Sequence, residues 1–125
     1  MDDKKIILAV DDMSGNLRTI KVILEKQFDV RLAKSGEIAL SVLEGEKVDL
    51  ILLDIEMPGM SGFEFLEKVK NNPGTQDIPV VFITSHAENE LVRTASKFGI
   101  KDYIVKPILP ETLTKRVYAA LNYTL

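Results

Sequence analysis

Five polar side chains stand directly after short apolar runs of the sequence: Asp11, Asp12, Asp54, Thr84 and Lys106. Three carboxylates held close together repel one another, and each raises the pKa of the others. A divalent cation and the Lys106 ammonium would offset that charge, and an all-oxygen ligand set with room for water suits Mg²⁺. A metal and a lysine beside a carboxylate can hold phosphoryl oxygens, while the carboxylate itself acts as nucleophile and becomes an aspartyl phosphate.

These five residues can meet only if the elements that precede them share one sheet. Five apolar runs, at residues 6–10, 30–33, 50–53, 80–83 and 103–105, predict five strands. The first, third and fourth runs are continuous rather than alternating, which is typical of strands buried on both faces of a parallel sheet.

Apolar residues at helical spacing follow each strand. They predict five helices, around residues 17–24, 38–43, 63–69, 91–98 and 113–121. Ser14 or Asp12 is the expected cap of the first helix, Gly45 the expected end of the second, and Pro110 the expected start of the fifth. The alternation predicts one α/β domain over residues 1–125, a doubly wound parallel sheet, and we expect no output domain. If the strand order is 2-1-3-4-5, as in flavodoxin-like folds, strands one and three adjoin the point where the order reverses.

In such a sheet, ligands bind outside the carboxyl ends of the strands, where the strand order reverses. All five polar residues would lie along that edge. Taken singly, each has a structural interpretation as well, since aspartate is a common helix cap and a common turn residue. The functional interpretation depends on their conjunction at one edge.

Composition excludes several other kinds of protein. The chain has 125 residues, no cysteine and a single histidine, His86, so thiolate metal sites and a Ser-His-Asp hydrolase are not expected. The net charge of −3 argues against nucleic acid as the main partner. No signal peptide opens the chain and no apolar run approaches the ~20 residues of a membrane span, so we expect a cytoplasmic protein.

The motifs at the strand ends resemble those of the receiver domain of two-component response regulators, the chemotaxis-regulator-like group. The resemblance covers nearly the whole chain and rests on four motifs in the right order: Val10-Asp11-Asp12, the segment 53–62 from Leu53-Asp54 to Ser61-Gly62, Ile83-Thr84-Ser85 and Val105-Lys106-Pro107. Together they are highly specific, although each alone is weak.

The resemblance implies a role for each acidic residue of the site. Asp54 would be the phosphoacceptor and would receive its phosphoryl group from a phosphohistidine on a sensor histidine kinase or a histidine phosphotransfer protein. Asp12 would bind Mg²⁺ directly and Asp11 mainly through water, with Asp54 and the backbone carbonyl of Glu56 completing the protein ligands.

It also implies the parts of a switch. Lys106 would pair with the phosphoryl group, and the Lys106–Pro107 peptide bond would be cis. Thr84 would move toward the phosphoryl group and donate a hydrogen bond to it, while Tyr103 would turn inward. From its residues alone, Tyr103 is equally compatible with a half-buried strand aromatic. Position 56 and position 86 would tune the lifetime of the phosphorylated form.

The function implied is that of a signalling switch that assists its own phosphorylation and slow dephosphorylation, rather than an enzyme acting on other substrates. A downstream protein would bind the surface of the fourth helix, fifth strand and fifth helix, and a phosphorylation-dependent dimer could use the same surface. Residues 84–125 carry six basic and four acidic side chains, so we expect an acidic or mixed-charge target.

Two alternatives from other classes share parts of this pattern. A metal-dependent aspartyl-phosphate phosphatase would use the same nucleophile, but its D-x-D motif would follow the first strand. A flavodoxin-like electron carrier would share the fold, but Asp11 and Asp12 would repel a flavin phosphate.

Overall fold

A computed structural model describes residues 4–85, 93, 96–97, 100 and 102–122. The elements, in chain order, are β1 (Ile6–Val10), α1 (Ser14–Leu24), β2 (Asp29–Ala33), α2 (Gly36–Gly45), β3 (Leu50–Asp54), α3 (Gly62–Lys70), β4 (Val80–Thr84), β5 (Tyr103–Val105) and α4 (Pro110–Ala120). The predicted fourth helix falls largely on residues outside this description, although Arg93, Ser96 and Lys97 within it are helical. The predicted fifth helix is α4.

The sheet is parallel throughout, with the order β2-β1-β3-β4-β5. This confirms the predicted α/β class and strand order. The strand order reverses between β1 and β3, which are parallel neighbours. The residues that follow these two strands therefore lie side by side at the carboxyl edge of the sheet. In the part of the chain that is described, no helix is both long and apolar enough to cross a membrane.

Two hydrophobic clusters cover the two faces of the sheet. Neighbouring residues of one strand enter opposite clusters: Leu8 packs with residues of α2 and α3, and Ile7 packs with residues of α1 and α4. Leu53 and Leu52 divide in the same way. Both faces therefore exclude water, which explains why the strand runs are continuously apolar. Each fully buried large side chain contributes ~1.5–3 kcal/mol to folding.

Local signals set the starts of three helices. Ser35 caps α2 by accepting a hydrogen bond from Ile38 N, and Ser61 and Glu64 form a reciprocal capping box at α3. Pro110 stands in the first turn of α4. The predicted cap of α1 is wrong, because its N-cap is Met13, which makes no side-chain cap hydrogen bond.

Strands β2 and β5 form the two edges of this sheet. On β2, the Arg31 Nε donates to both carboxylate oxygens of Glu46, at 3.0 and 2.9 Å. Asp29 begins the same strand and is exposed. The central strands β1, β3 and β4 thus hold the core, and they end together at the edge where the polar residues lie.

Candidate functional site

Three carboxylates meet at the carboxyl ends of β1 and β3. Asp54 is the last residue of β3, and Asp11 and Asp12 follow β1. One carboxylate oxygen from each of the three lies within 4.8 Å of the others. Asp11 and Asp54 are each only 1% exposed, whereas Asp12 is half-buried. The structure therefore brings together the three acidic side chains that the sequence placed at this edge.

Lys106 supplies a positive charge to this cluster. Its Nζ lies 3.3 Å from Asp54 Oδ1 and 3.6 Å from Asp11 Oδ2. The chain brings Lys106 here through β5, which pairs with β4, and through the hydrogen bond from Lys106 N to Thr84 O at 2.7 Å. The Lys106–Pro107 peptide bond is cis. One ammonium faces three carboxylates, so the described cluster keeps a net negative charge.

Asp54 is the most perturbed group of the site. Its pKa is raised from 3.8 to about 6, first because burial disfavours the charged carboxylate and second because of repulsion by Asp11. Attraction to Lys106 and the hydrogen bond from Glu56 N act in the opposite direction but do not offset the burial. Asp54 Oδ1 accepts both of these hydrogen bonds, at 3.3 Å each. Among the described residues Oδ2 accepts none, so its lone pairs are available for a ligand or an electrophile.

Asp11 is held in place by two donors from the segment that follows it. Its Oδ1 accepts from Met13 N at 2.9 Å, and its Oδ2 accepts from the Asn16 Nδ2 at 3.0 Å. Asn16 was not among the predicted site residues. The signal was its position, five residues after Asp11 and in the first turn of α1, which turns its amide back toward the strand end.

The contacts of the Glu56 side chain were also not predicted, since the sequence assigned its backbone carbonyl to a metal and its position only to the lifetime of the phosphorylated form. Its Oε1 accepts hydrogen bonds from Thr84 Oγ1 at 3.2 Å and from Ser85 N at 3.3 Å. The β3–α3 loop thus contacts the end of β4 through a charged group. The assignment of the Glu56 carbonyl to a metal remains a prediction.

The two residues assigned to a switch occupy adjacent strands. Thr84 ends β4 and is 2% exposed, and Tyr103 begins β5, where it is half-buried against the cluster on the α2–α3 face. The two strands are in register, with Phe82 beside Tyr103 and Thr84 beside Val105. Their switching roles remain predictions.

The predicted output surface is described only in part. Phe98 and Lys101, which belong to the predicted fourth helix and the segment that follows it, lie outside the described residues. Lys97 is exposed. On α4, Arg116 donates to Asp102 Oδ1 at 2.6 Å, and the same oxygen accepts from Tyr103 N at 2.9 Å. Arg116 is therefore engaged in an ion pair at the start of β5.

The start of α3 packs tightly against the acidic site. A Cβ atom on Gly62 would lie 2.7 Å from Ile55 Cα and 2.8 Å from Asp54 O, distances that real Cβ atoms essentially never show. Gly62 N donates to Ile55 O at 3.2 Å. The backbone of Asp54 and Ile55 therefore packs so closely against Gly62 that a larger residue at position 62 would require it to move.

The donor chemistry of the cluster fits Mg²⁺. Hard divalent cations prefer carboxylate and carbonyl oxygens, and Mg²⁺ keeps several waters and needs only one or two carboxylates. The pKa of Asp54 is raised first by burial and second by repulsion from Asp11, and attraction to Lys106 offsets only part of this. A second positive charge, such as a divalent cation, would offset the remaining negative charge of the three carboxylates.

Comparison with known proteins agrees with this geometry. The family model for the response regulator receiver domain matches residues 7–118. The probable cyclic di-GMP phosphodiesterase of Vibrio cholerae is 38% identical over 116 residues, which are 93% of this chain and 26% of that protein. Protein PilH of Pseudomonas aeruginosa is 33% identical, over 92% of this chain and 96% of PilH.

The fold has close structural neighbours. The solved structure of the chemotaxis protein CheY4 of Vibrio cholerae superposes with a TM-score of 0.91 and 29% sequence identity, covering 95% of this chain and 100% of that one. By contrast, this chain spans only 26% to 30% of the length of the cyclic di-GMP phosphodiesterases that it matches.

Proposed function

This chain is a receiver domain of the response regulator family, and we propose that Asp54 is its phosphoacceptor. The observation that carries the proposal is the contact of a buried carboxylate, Asp54, with the Lys106 ammonium beside two further carboxylates. The proposed donor is a phosphohistidine on a sensor histidine kinase or on a histidine phosphotransfer protein.

The reaction is a transfer between two nucleophiles. An oxygen of Asp54 forms the new bond to phosphorus, and the P–N bond of the donor breaks with its electron pair returning to the imidazole, which takes up a proton. Because the pKa of Asp54 is about 6, the carboxylate is mainly ionised near neutral pH and can act as nucleophile. Lys106 lies close enough to stabilise the negative charge of the phosphoryl oxygens.

The proposed metal ligands are the carboxylates of Asp11, Asp12 and Asp54 and the backbone carbonyl of Glu56. Bound Mg²⁺ supplies positive charge that neutralises phosphoryl oxygens and orients the transferred group. The protein's own contribution is to fix Asp11, through Met13 N and Asn16, so that its carboxylate does not turn away from the cluster.

A receiver domain is a signalling switch, and the output proposed here follows the family. Phosphorylation would draw Thr84 toward Asp54 and Tyr103 inward, and the surface formed by the predicted fourth helix, β5 and α4 would change for a downstream protein. The coupling of β5 to α4 through Asp102 and Arg116 supports a surface that moves as one unit. Nothing in the site or the comparisons favours the phosphatase alternative.

The test is incubation with acetyl phosphate and Mg²⁺, followed by intact mass. We expect the wild type to gain one phosphoryl group, and the gain to disappear with a chelator or in Asp54→Asn. Asp49→Asn is the matched control, because Asp49 lies just before the other end of the same strand and should leave phosphorylation intact.

Two results would contradict the proposal. One is a phosphoryl gain that persists in Asp54→Asn. The other is the absence of both a phosphoryl adduct and binding of beryllofluoride, which mimics the phosphoryl group without requiring a reactive donor. Multiple turnover on small phosphoesters would instead favour the phosphatase.

A further inference from the structure

The Glu56 side chain lies between the proposed phosphoacceptor and the proposed switch threonine. Its backbone N–H donates to Asp54 Oδ1 at 3.3 Å, while its carboxylate accepts from Thr84 Oγ1 at 3.2 Å and from Ser85 N at 3.3 Å. One residue thus contacts Asp54 through its main chain and the end of β4 through its side chain. Glu56 is exposed, whereas Thr84 is buried.

A hydroxyl group carries a single proton. While Thr84 donates that proton to Glu56, it cannot donate it to a phosphoryl oxygen on Asp54. The acceptor is a carboxylate oxygen, and hydrogen bonds to carboxylates are stronger than those between neutral groups. Two donors from adjacent residues of the chain converge on the same oxygen, so the contact positions the strand end as well as the hydroxyl.

We propose that Glu56 is a positioning residue that restrains Thr84 in the unphosphorylated state. The inference rests on the proposed function, and it adds that the Thr84–Glu56 hydrogen bond must break when Thr84 binds the phosphoryl group. Glu56 then competes with the phosphoryl group for the one hydrogen bond that Thr84 can donate. This competition raises the free energy of the state in which Thr84 binds the phosphoryl group, relative to the unphosphorylated state. Because the carboxylate is exposed and water can replace its lost partner, the restraint is weak enough for a phosphoryl group to overcome.

The negative charge of Glu56 has a second effect, which the test must separate from the first. The carboxylate also repels an anionic phosphoryl group at Asp54. Charge repulsion acts whether or not residue 84 carries a hydroxyl group, whereas the restraint requires that hydroxyl group. A double-mutant cycle between positions 56 and 84 therefore isolates the restraint.

The experiment measures the dissociation constant of the beryllofluoride complex in Mg²⁺ by titration calorimetry. The variants are Glu56→Ala, Thr84→Val and the double variant, with Glu67→Ala as a control for loss of an exposed carboxylate on α3. We expect Glu56→Ala to tighten binding about fivefold when Thr84 is present and less than twofold when residue 84 is valine. Glu56→Gln, which keeps an acceptor oxygen but no charge, should gain less than Glu56→Ala, and Glu67→Ala should change binding less than twofold.

The Ser85 amide gives a readout that charge alone would not move. Its ¹⁵N–¹H resonance should shift in Glu56→Ala without any ligand, since its hydrogen bond is lost, and thermal unfolding of each variant checks that it is folded. Equal tightening in both backgrounds, or weaker binding in Glu56→Ala, would overturn the inference while leaving Asp54 as phosphoacceptor. A wild type that binds no beryllofluoride and takes up no phosphoryl group would overturn the proposed function and this inference with it.

Discussion

An aspartate stands at each end of the central strand β3, and the two carboxylates have opposite surroundings. Asp49 stands just before the strand, where its carboxylate accepts from Ile6 N at 2.8 Å and its own N–H donates to Ile6 O at 2.8 Å. It joins β1 to β3 and is half-buried. Asp54 ends the strand, is 1% exposed, and faces another buried carboxylate.

Two further pairs repeat the contrast. Thr75 lies in the loop before β4, where its buried hydroxyl donates to Val69 O at 2.8 Å and closes the end of α3. Thr84, at the other end of β4, donates to the exposed carboxylate of Glu56. Gly45 ends α2 with open space around it, whereas Gly62 begins α3 against the backbone of Asp54 and Ile55.

In these pairs, the residues at the amino end of the sheet stabilise the backbone, and the residues at the carboxyl end surround a cluster of carboxylates. At the amino end the polar groups complete backbone hydrogen bonds, so removing one costs folding energy. At the carboxyl end the carboxylates repel one another, which lowers the stability of the folded protein, and added positive charge would relieve that repulsion. Substitutions at the two ends should therefore change the free energy of unfolding differently for each matched pair of residues.

The largest difference should lie between the two glycines. Gly62→Ala should lower the free energy of unfolding by ~2–4 kcal/mol, because its Cβ would overlap backbone atoms that cannot move without displacing Asp54. Gly45→Ala should be neutral or stabilise by up to ~1 kcal/mol, since alanine favours the helix and meets no atom. Urea unfolding of both variants measures this. Equal effects would mean that the contact at Gly62 is readily relieved.

The two aspartates should respond to loss of charge with opposite signs. In a chelating buffer at pH 7.5, Asp54→Asn should raise the free energy of unfolding by ~1–3 kcal/mol, because it removes a carboxylate whose ionisation the folded protein disfavours. Asp49→Asn should lower it by ~1 kcal/mol, because it weakens a charged acceptor of a backbone N–H. Destabilisation by both variants would show that Lys106 compensates Asp54 fully.

The gain in Asp54→Asn should also depend on pH. The pKa of Asp54 is about 6 in the folded protein and close to 3.8 in the unfolded chain, so the folded state binds the extra proton between these values. The stability of the wild type should therefore fall, relative to the variant, as the pH rises from 4 through 6. Thermal unfolding of both proteins between pH 4 and 8 in a chelating buffer checks this. A difference that stayed constant across that range would assign the gain to packing rather than to charge.

The smallest difference should lie between the two threonines. Thr75→Val should lower the free energy of unfolding by ~1 kcal/mol, because Val69 O loses the buried donor at 2.8 Å and keeps the longer hydrogen bond from Asn72 N at 3.4 Å. Thr84→Val should cost less than ~0.5 kcal/mol, since the Glu56 acceptor is exposed and water can replace the hydroxyl. Chemical unfolding at pH 7.5 compares them. A larger loss at position 84 would show that its hydroxyl is a structural group.

The fold was largely predictable because its signal is repeated along the sequence. Each central strand is a continuous apolar run, and this pattern has one ready explanation, a parallel sheet covered on both faces. The edge strand β2 begins one residue earlier than predicted, at Asp29, because its register with Ile6 is set by the neighbouring strand rather than by its own hydrophobicity. The grouping of Asp11, Asp12 and Asp54 followed once the strand order 2-1-3-4-5 was assumed, because β1 and β3 are then neighbours.

Contacts between loops were not predictable in the same way. Ser14 and Asp12 have the right chemistry for a cap, but the turn after β1 directs the neighbouring Asp11 carboxylate to Met13 N instead. Asn16 and Glu56 reach their partners through the path of the backbone between elements, which no periodicity encodes. The packing of the Met60 side chain directly over the backbone at the start of α2 is another contact of this kind.

The ion pair on β2 has a consequence for how this domain behaves in concentrated solution. The outer side of β2 offers unpaired backbone donors and acceptors, which in many proteins recruit a strand from another molecule and begin aggregation. Arg31 lies on this edge strand and forms an ion pair with Glu46, and the exposed Asp29 begins the strand. A strand approaching from a second molecule would have to desolvate these charged groups, which opposes edge-to-edge aggregation. The ion pair can therefore keep the protein in solution even if it contributes little to the free energy of folding.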